Sequence, residues 1–314
     1  MDHRTFSIQG IARDALRGGL QRLACFLSLV MLLSCESLKW VEVPSANQNS
    51  RVNHLVIHFT SEGFQESMAV LTEPSLNPVS AHYLVPEQND LSYPFKSLRI
   101  HRLVEEQHRA WHAGESQWFG ESSLNDRSIG IELVNRSQCR RATSDSDPLP
   151  PLMQQCRFLP YPDDQIDALI ELISGILQRH PEITPLNIVG HADIAPNRKV
   201  DPGPLFPWKK LHSAGIGAWY FPGDQAFYLN HLKQHPIDTT TAQQALAFVG
   251  YPIETSGTED AASQRAVRAF QMRFRPDQYS GFLDDETIAI SLALLNRYRP
   301  MLLGDLNLPT RLID

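Results

Sequence analysis

Hydrophobic positions follow two different periods along this chain. Val52–Phe59 is a nearly continuous apolar run rich in β-branched residues, the pattern of a strand covered on both faces. Ala81–Val85, Leu98–Glu105, Ser128–Val134 and Leu186–Val189 predict further strands. The helical period is clearest where Ile166, Leu169, Ile170, Ile173, Ile176 and Leu177 recur at three- and four-residue spacings and form one apolar stripe. Pro162 and Asp163 mark the start of that helix and Pro181 its end. Strands interspersed with a helix predict an α/β fold with a mixed central sheet flanked by helices, spanning residues 51–212.

Beyond that region the pattern changes. Residues 213–236 mix Gly, Pro and aromatic positions and predict a connection between domains that packs on one of them. Thr239–Tyr251, Glu259–Phe274 and Asp284–Tyr298 then predict three short amphipathic helices, a small three-helix domain over residues 237–300 with a tail at 301–314.

The N-terminal end carries a third pattern. Arg13, Arg17 and Arg22 precede the apolar stretch Leu23–Leu33. A membrane-spanning helix needs about 20 apolar residues, so this stretch is too short and instead has the length of a signal-peptide core. Leu32-Leu33-Ser34-Cys35 resembles the lipobox of bacterial lipoprotein precursors. That resemblance implies a signal peptide over residues 1–34, lipidation of Cys35 and a polar tether over residues 35–50. Glu36, where inner-membrane retention uses Asp, implies attachment to the inner leaflet of the outer membrane, facing the periplasm.

Composition narrows the function. With 314 residues, 42% of them hydrophobic, the chain can bury substantial cores, which excludes wholesale disorder. A net charge of -7 argues against a nucleic-acid binder, which needs a basic face to displace counterions. Of four cysteines, Cys25 falls in the leader and Cys35 is committed to lipid, leaving Cys139 and Cys156 around the loop 140–155. In an oxidising compartment these two are expected to form a disulfide contributing about 3 kcal/mol by loop entropy; two separate buried thiols are the alternative.

Three potential metal ligands stand near strand ends. His58 closes the first apolar run, His191 follows Ile188-Val189-Gly190, and Asp201 begins Asp201-Pro202-Gly203-Pro204. Two imidazoles and one carboxylate leave a tetrahedral zinc ion with one open position, as a catalytic site requires. From spacing alone, hydrogen-bonded structural histidines and an aspartate that forms a turn explain the same residues equally well.

Six separated blocks decide in favour of chemistry: Ile57-His58-Phe59-Thr60, Ser80-Ala81-His82-Tyr83-Leu84-Val85, Ala110-Trp111-His112-Ala113-Gly114, Leu124-Asn125 with Ser128-Ile129-Gly130-Ile131-Glu132-Leu133, Gly190-His191-Ala192-Asp193-Ile194-Ala195-Pro196, and Lys199-Val200-Asp201-Pro202-Gly203-Pro204. In this order they resemble the zinc-dependent N-acetylmuramoyl-L-alanine amidases of the type 2 amidase family. The resemblance implies His58, His191 and Asp201 as zinc ligands. It implies Glu132 as the general base that takes a proton from the attacking water, and Lys199 as the cation that stabilises the oxyanion. The implied reaction cleaves the amide between the lactyl group of N-acetylmuramic acid and L-alanine of the peptidoglycan stem peptide. A zinc peptidase acting within the stem, and a recognition lipoprotein that only binds peptidoglycan, are the rival readings. His82 and His112 match no ligand and are read as structural or pocket-lining. Trp111 suits either a substrate groove or the core.

The C-terminal helices also carry a resemblance. Ala266-Val267-Arg268-Ala269-Phe270-Gln271, with Gly281 and Asp284-Asp285-Glu286-Thr287, is similar to the three-helix peptidoglycan-binding domains appended to wall hydrolases. The usual Asp-Gly-x-Phe-Gly turn is replaced by Thr255-Ser256-Gly257-Thr258-Glu259, so a module that only buttresses the amidase domain is the alternative to one that binds glycan. The implied partners are peptidoglycan or muropeptides, and outer-membrane lipid through Cys35.

Overall fold

In the computed structural model the first apolar run becomes β1 (His54–Phe59), one of five strands in a central sheet. The others are β2 (Tyr83–Val85), β3 (His101–Arg102), β6 (Ser128–Leu133) and β9 (Ile188–Gly190), in the order β3-β2-β6-β1-β9. β1 runs parallel to β6 and β9, β2 runs parallel to β6, and β3 is antiparallel to β2, so the sheet is mixed. Two short ladders flank it: β4 (Gln117–Trp118) with β5 (Glu121–Ser122), and β7 (Gln138–Cys139) with β8 (Cys156–Arg157). The structure describes residues 41–43, 45, 47, 50–139 and 156–311. The expected signal peptide and Cys35 lie outside the described residues.

Side chains alternate across a strand, and this alternation gives the sheet two different faces. Leu55, Ile57, Ile129, Ile131, Leu133 and Ile188 pack against the long helix α2 (Asp163–Arg179), whose Ile166, Leu169, Ile173 and Ile176 are buried. The opposite positions of β1 and β6 are His54, Val56, His58, Ser128, Gly130 and Glu132, and this face carries the chemistry. The α2 amide of Gln165 donates to Val85 O and Val134 O, tying the ends of β2 and β6 together. Helix α1 (Phe64–Thr72) adds a small core of Phe64 and Leu71 with Leu84, Tyr93 and Val134.

After the short helix α4 (Trp208–Ser213), the helical half comprises α5 (Pro222–Gln234), α6 (Thr239–Val249), α7 (Ala261–Phe274), α8 (Asp285–Tyr298) and α9 (Met301–Asp305). Asp238, Asp260 and Asp284 each cap a helix by accepting a backbone N–H from its first turn, which explains where α6, α7 and α8 begin. Val56 and Val189 of the sheet share one hydrophobic core with Tyr228, Leu246, Phe270 and Leu292 of these helices. The described residues from Ser50 onward consequently form a single compact unit. Among the described residues, no helix is long and apolar enough to cross a membrane.

Three expectations need correction. Only His101–Arg102 of the segment Leu98–Glu105 pairs as a strand. The Tyr93 hydroxyl accepts from Arg99 N and donates to Ser97 O, so backbone groups just before the strand bond to a side chain instead. The connection over 213–236 contains α5, started by Pro222 and anchored by Tyr228 and Leu232, two buried residues four positions apart. The tail begins with α9, held by buried Leu303. Two helices thus extend the three expected.

Candidate active site

Position in the sheet brings the first two functional side chains together. His58 is the register partner of Glu132 across the parallel pair β1–β6, so both leave the same face at adjacent sites. His191 opens the one-turn helix α3 (His191–Ile194) directly after β9. Asp201 arrives from the following loop, tied back by an Ala192 N–H bond to Asp201 O at 2.8 Å. That loop closes over Gly190, where a Cβ would meet the Pro202 ring at 2.5 Å, so a side chain there would push Asp201 away.

The result is a tight cluster of ligand atoms. His58 Nδ1 lies 2.9 Å from His191 Nδ1 and 3.2 Å from Asp201 Oδ2, and His191 Nδ1 lies 3.0 Å from Asp201 Oδ2. All three residues are buried. Zinc bonds of about 2.0–2.2 Å in tetrahedral geometry separate ligand atoms by roughly 3.3–3.5 Å, so this cluster is close to the size of a cation cage. The outward nitrogen of His191 faces the carbonyl of Ala113 at 3.2 Å, the kind of contact that leaves the inward nitrogen free to ligate. The residues present therefore fit a divalent metal with N,N,O donors.

Electrostatics favour a cation in this position. Burial, then the neighbouring His191, pushes the His58 pKa down to about 4. Burial would raise the Asp201 carboxyl, but the two histidines outweigh it and hold the group well below the ordinary carboxylate range. Glu132 behaves in the opposite way. Burial, reinforced by Asp201 and opposed by Lys199, raises its pKa to about 8, and its enclosed Oε2 has no hydrogen-bond partner. An unpartnered, proton-hungry carboxylate beside a metal cage is suited to accept a proton from water.

A cleft of about 220 Å³ opens over the cluster, lined by Thr60, Ser61, Trp111, Glu132, Lys199 and Asp201 among others. Lys199 is half-buried, with its backbone N–H bonded to Ala195 O. Trp111 is 46% exposed and forms part of the wall rather than of the core. Cys139 and Cys156 face each other across β7–β8 and are joined by a disulfide, with Cα atoms 3.9 Å apart.

Two contacts around the site go beyond the sequence reading, in which His112 was structural or pocket-lining, as its place on the cleft wall bears out, and Asp193 had no role. His112 Nδ1 sits 3.0 Å from His58 Nε2. Asp193 accepts from the backbone N–H of Gly190 at 2.8 Å, capping the turn that carries His191. The Asp193 contact had a signal, a carboxylate three residues beyond the start of a turn; the His112 contact is purely tertiary.

Comparisons with known proteins agree with this geometry. The profile of the N-acetylmuramoyl-L-alanine amidase family matches residues 48–204, and a peptidoglycan-binding-domain profile matches residues 237–290. The chain is 45% identical over 249 residues to the N-acetylmuramoyl-L-alanine amidase AmiD of Escherichia coli, covering 79% of this chain and 84% of AmiD. The crystal structure of AmpDh3 from Pseudomonas aeruginosa superposes with a TM-score of 0.74 at 41% identity, covering 83% of this chain and 98% of that one. Escherichia coli AmiD, solved with the substrate anhydro-N-acetylmuramic acid-L-Ala-D-γ-Glu-L-Lys, superposes with a TM-score of 0.68 at 43% identity, covering 82% of this chain and 93% of that one. With residues 48–204 matched by the family and a relative 45% identical covered over 84% of its length, the chain belongs to the N-acetylmuramoyl-L-alanine amidase family.

Proposed function

We propose that this amidase works as a zinc hydrolase on peptidoglycan and its muropeptides, cleaving the amide between the lactyl group of N-acetylmuramic acid and L-alanine of the stem peptide. The observation that carries the reading is the convergence of His58, His191 and Asp201 within 3.2 Å of one another, beside Glu132. His58, His191 and Asp201 would hold the ion. When bound, zinc supplies Lewis acidity toward the scissile carbonyl and lowers the pKa of water.

The chain's own residues do the rest. Glu132 takes the proton from the attacking water and returns it to the departing L-alanine nitrogen, a transfer its raised pKa favours. Lys199, on the wall of the same cleft, sets a positive charge where the carbonyl oxygen becomes anionic. Trp111 supplies an apolar wall against which substrate can lie.

The setting follows from the sequence. Lipidation of Cys35 would anchor the chain at the inner leaflet of the outer membrane, and the Cys139–Cys156 pairing suits an oxidising periplasm. The module over 237–300 would add affinity for the wall. Mass spectrometry of products from purified muropeptides, with and without a chelator, tests the reading. Release of intact stem peptide that the chelator abolishes is expected; cleavage within the stem, or cleavage indifferent to chelation, overturns it.

A further inference from the structure

We propose that His112 and Ser128 are positioning residues that fix which nitrogen of His58 faces the metal position. The inference rests on reading His58, His191 and Asp201 as metal ligands, and it follows from hydrogen-bond direction. Leu124 O can only accept, so the Ser128 hydroxyl, 2.6 Å away, must give it its single proton. His112 Nε2 lies 3.1 Å from Ser128 Oγ and must therefore donate to it. With that nitrogen protonated, His112 Nδ1 is an acceptor in the neutral ring. His58 Nε2, 3.0 Å from it, must then be the donor. Each link leaves one choice for the next, and the last leaves His58 Nδ1 bare where it meets His191 and Asp201.

The relay is built into the fold rather than incidental to it. His112 is 8% exposed, and Ser128 and Leu124 are fully enclosed. The backbone N–H groups of His112 and Ala113 both donate to Asn125 Oδ1, at 3.1 and 2.8 Å, pinning the segment that carries the ring. The ring lies flat on the backbone of Gly130, where a Cβ would come 2.3 Å from His112 Cγ, so β6 can hold His112 only with glycine at that position. Glycine here serves close approach, not turning. Ser128, Gly130 and Glu132 alternate along one face of β6, so a single strand supplies the relay's end, its seat and the proposed general base.

The relay has a thermodynamic consequence. A histidine without that partner can place its proton where the metal must bind, and it also loses the fixed ring orientation and the basicity that the partner confers. Loss of such outer partners typically costs 10–100-fold in metal affinity.

Zinc affinity of the purified full chain, measured by chelator competition, provides the test. His112→Leu keeps the bulk but removes the acceptor, and a zinc Kd weakened about 10–100-fold is expected. In His112→Asn the amide oxygen can stand where Nδ1 stands, so the Kd should stay near that of the parent; Ser128→Ala should weaken it in the same direction as Leu. Circular dichroism of the metal-free variants separates a lost fold from a lost relay. Should His112→Leu fail to fold, ring-nitrogen NMR of the metal-free parent at pH 8 decides the matter, with the His58 proton expected on Nε2. Tight zinc binding by a folded His112→Leu, equal losses in Leu and Asn, or a His58 proton on Nδ1 would each overturn the relay while leaving the metal site standing. A parent chain that binds no zinc would overturn the site itself.

Discussion

Arg273 Nη1 donates to Asp193 Oδ2 at 3.0 Å, and each side chain is only 3% exposed. Asp193 is also held by the Tyr251 hydroxyl at 2.7 Å and caps the turn of His191 through Gly190 N. The helical half therefore reaches into the support of a proposed metal ligand. Removing one partner of a buried pair leaves an uncompensated charge and costs about 3–5 kcal/mol. Arg273→Ala should lose that much stability, read from the urea midpoint, and Tyr251→Phe about 1 kcal/mol. A loss below about 1 kcal/mol in Arg273→Ala would show that the pair carries no such role.

Glu132 is predicted to serve turnover and not metal retention. Glu132→Gln should bind zinc like the parent while kcat falls about 10²–10⁴-fold, the usual contribution of a positioned acid–base group. Near-normal release of stem peptide by the variant would remove Glu132 from the mechanism.

Metal binding should register as stability. A ligand that binds only the folded state at 100 times its Kd adds about 2.7 kcal/mol. Zinc is expected to raise the Tm of the parent and not that of Asp201→Ala. Equal shifts in both would place the ion elsewhere.

Acid stability should depend on Glu106. Burial alone would raise its pKa, but hydrogen bonds from Arg179, Tyr83 and His180 outweigh this and hold the pKa near 2, against an ordinary 4.5. A depressed carboxyl contributes stability fully above its unfolded pKa and loses it as pH falls through the folded value. The parent's advantage over Glu106→Gln should therefore be present at pH 6 and shrink between about pH 4.5 and pH 2. A pH-independent difference in urea midpoints would contradict the assignment.

Cys139 and Cys156, 17 residues apart, are predicted to be bridged in protein recovered from an oxidising compartment. Non-reducing mass spectrometry should find the cross-linked peptide, and Cys156→Ser should cost about 3 kcal/mol. Two free thiols would refute the bridge.

Much of the fold was legible because it is written in local periodicity. The two-faced runs of β1 and β6 and the stripe of α2 each state their burial within a few residues, since a strand or helix must hide an apolar face wherever it lies. His58 and His191 stand at strand ends, but it was the resemblance of six separated blocks to the amidase family that singled out His58, His191, Asp201 and Glu132 together, since spacing alone left structural readings open. Helix α5 was not legible, because Tyr228 and Leu232 make too thin a stripe to stand out from a connection. The strand expected over Leu98–Glu105 was over-read: only His101 and Arg102 pair, and Arg99 N bonds to the Tyr93 hydroxyl instead. The sequence by itself determined which side chains can ligate, protonate and pack. Only the tertiary structure decided that His112 meets His58, that Arg273 meets Asp193, and that sheet and helices share one core. Such contacts join residues from about 50 to 80 positions apart, and partner choice at that distance is made by the packing of whole elements, which no local pattern encodes.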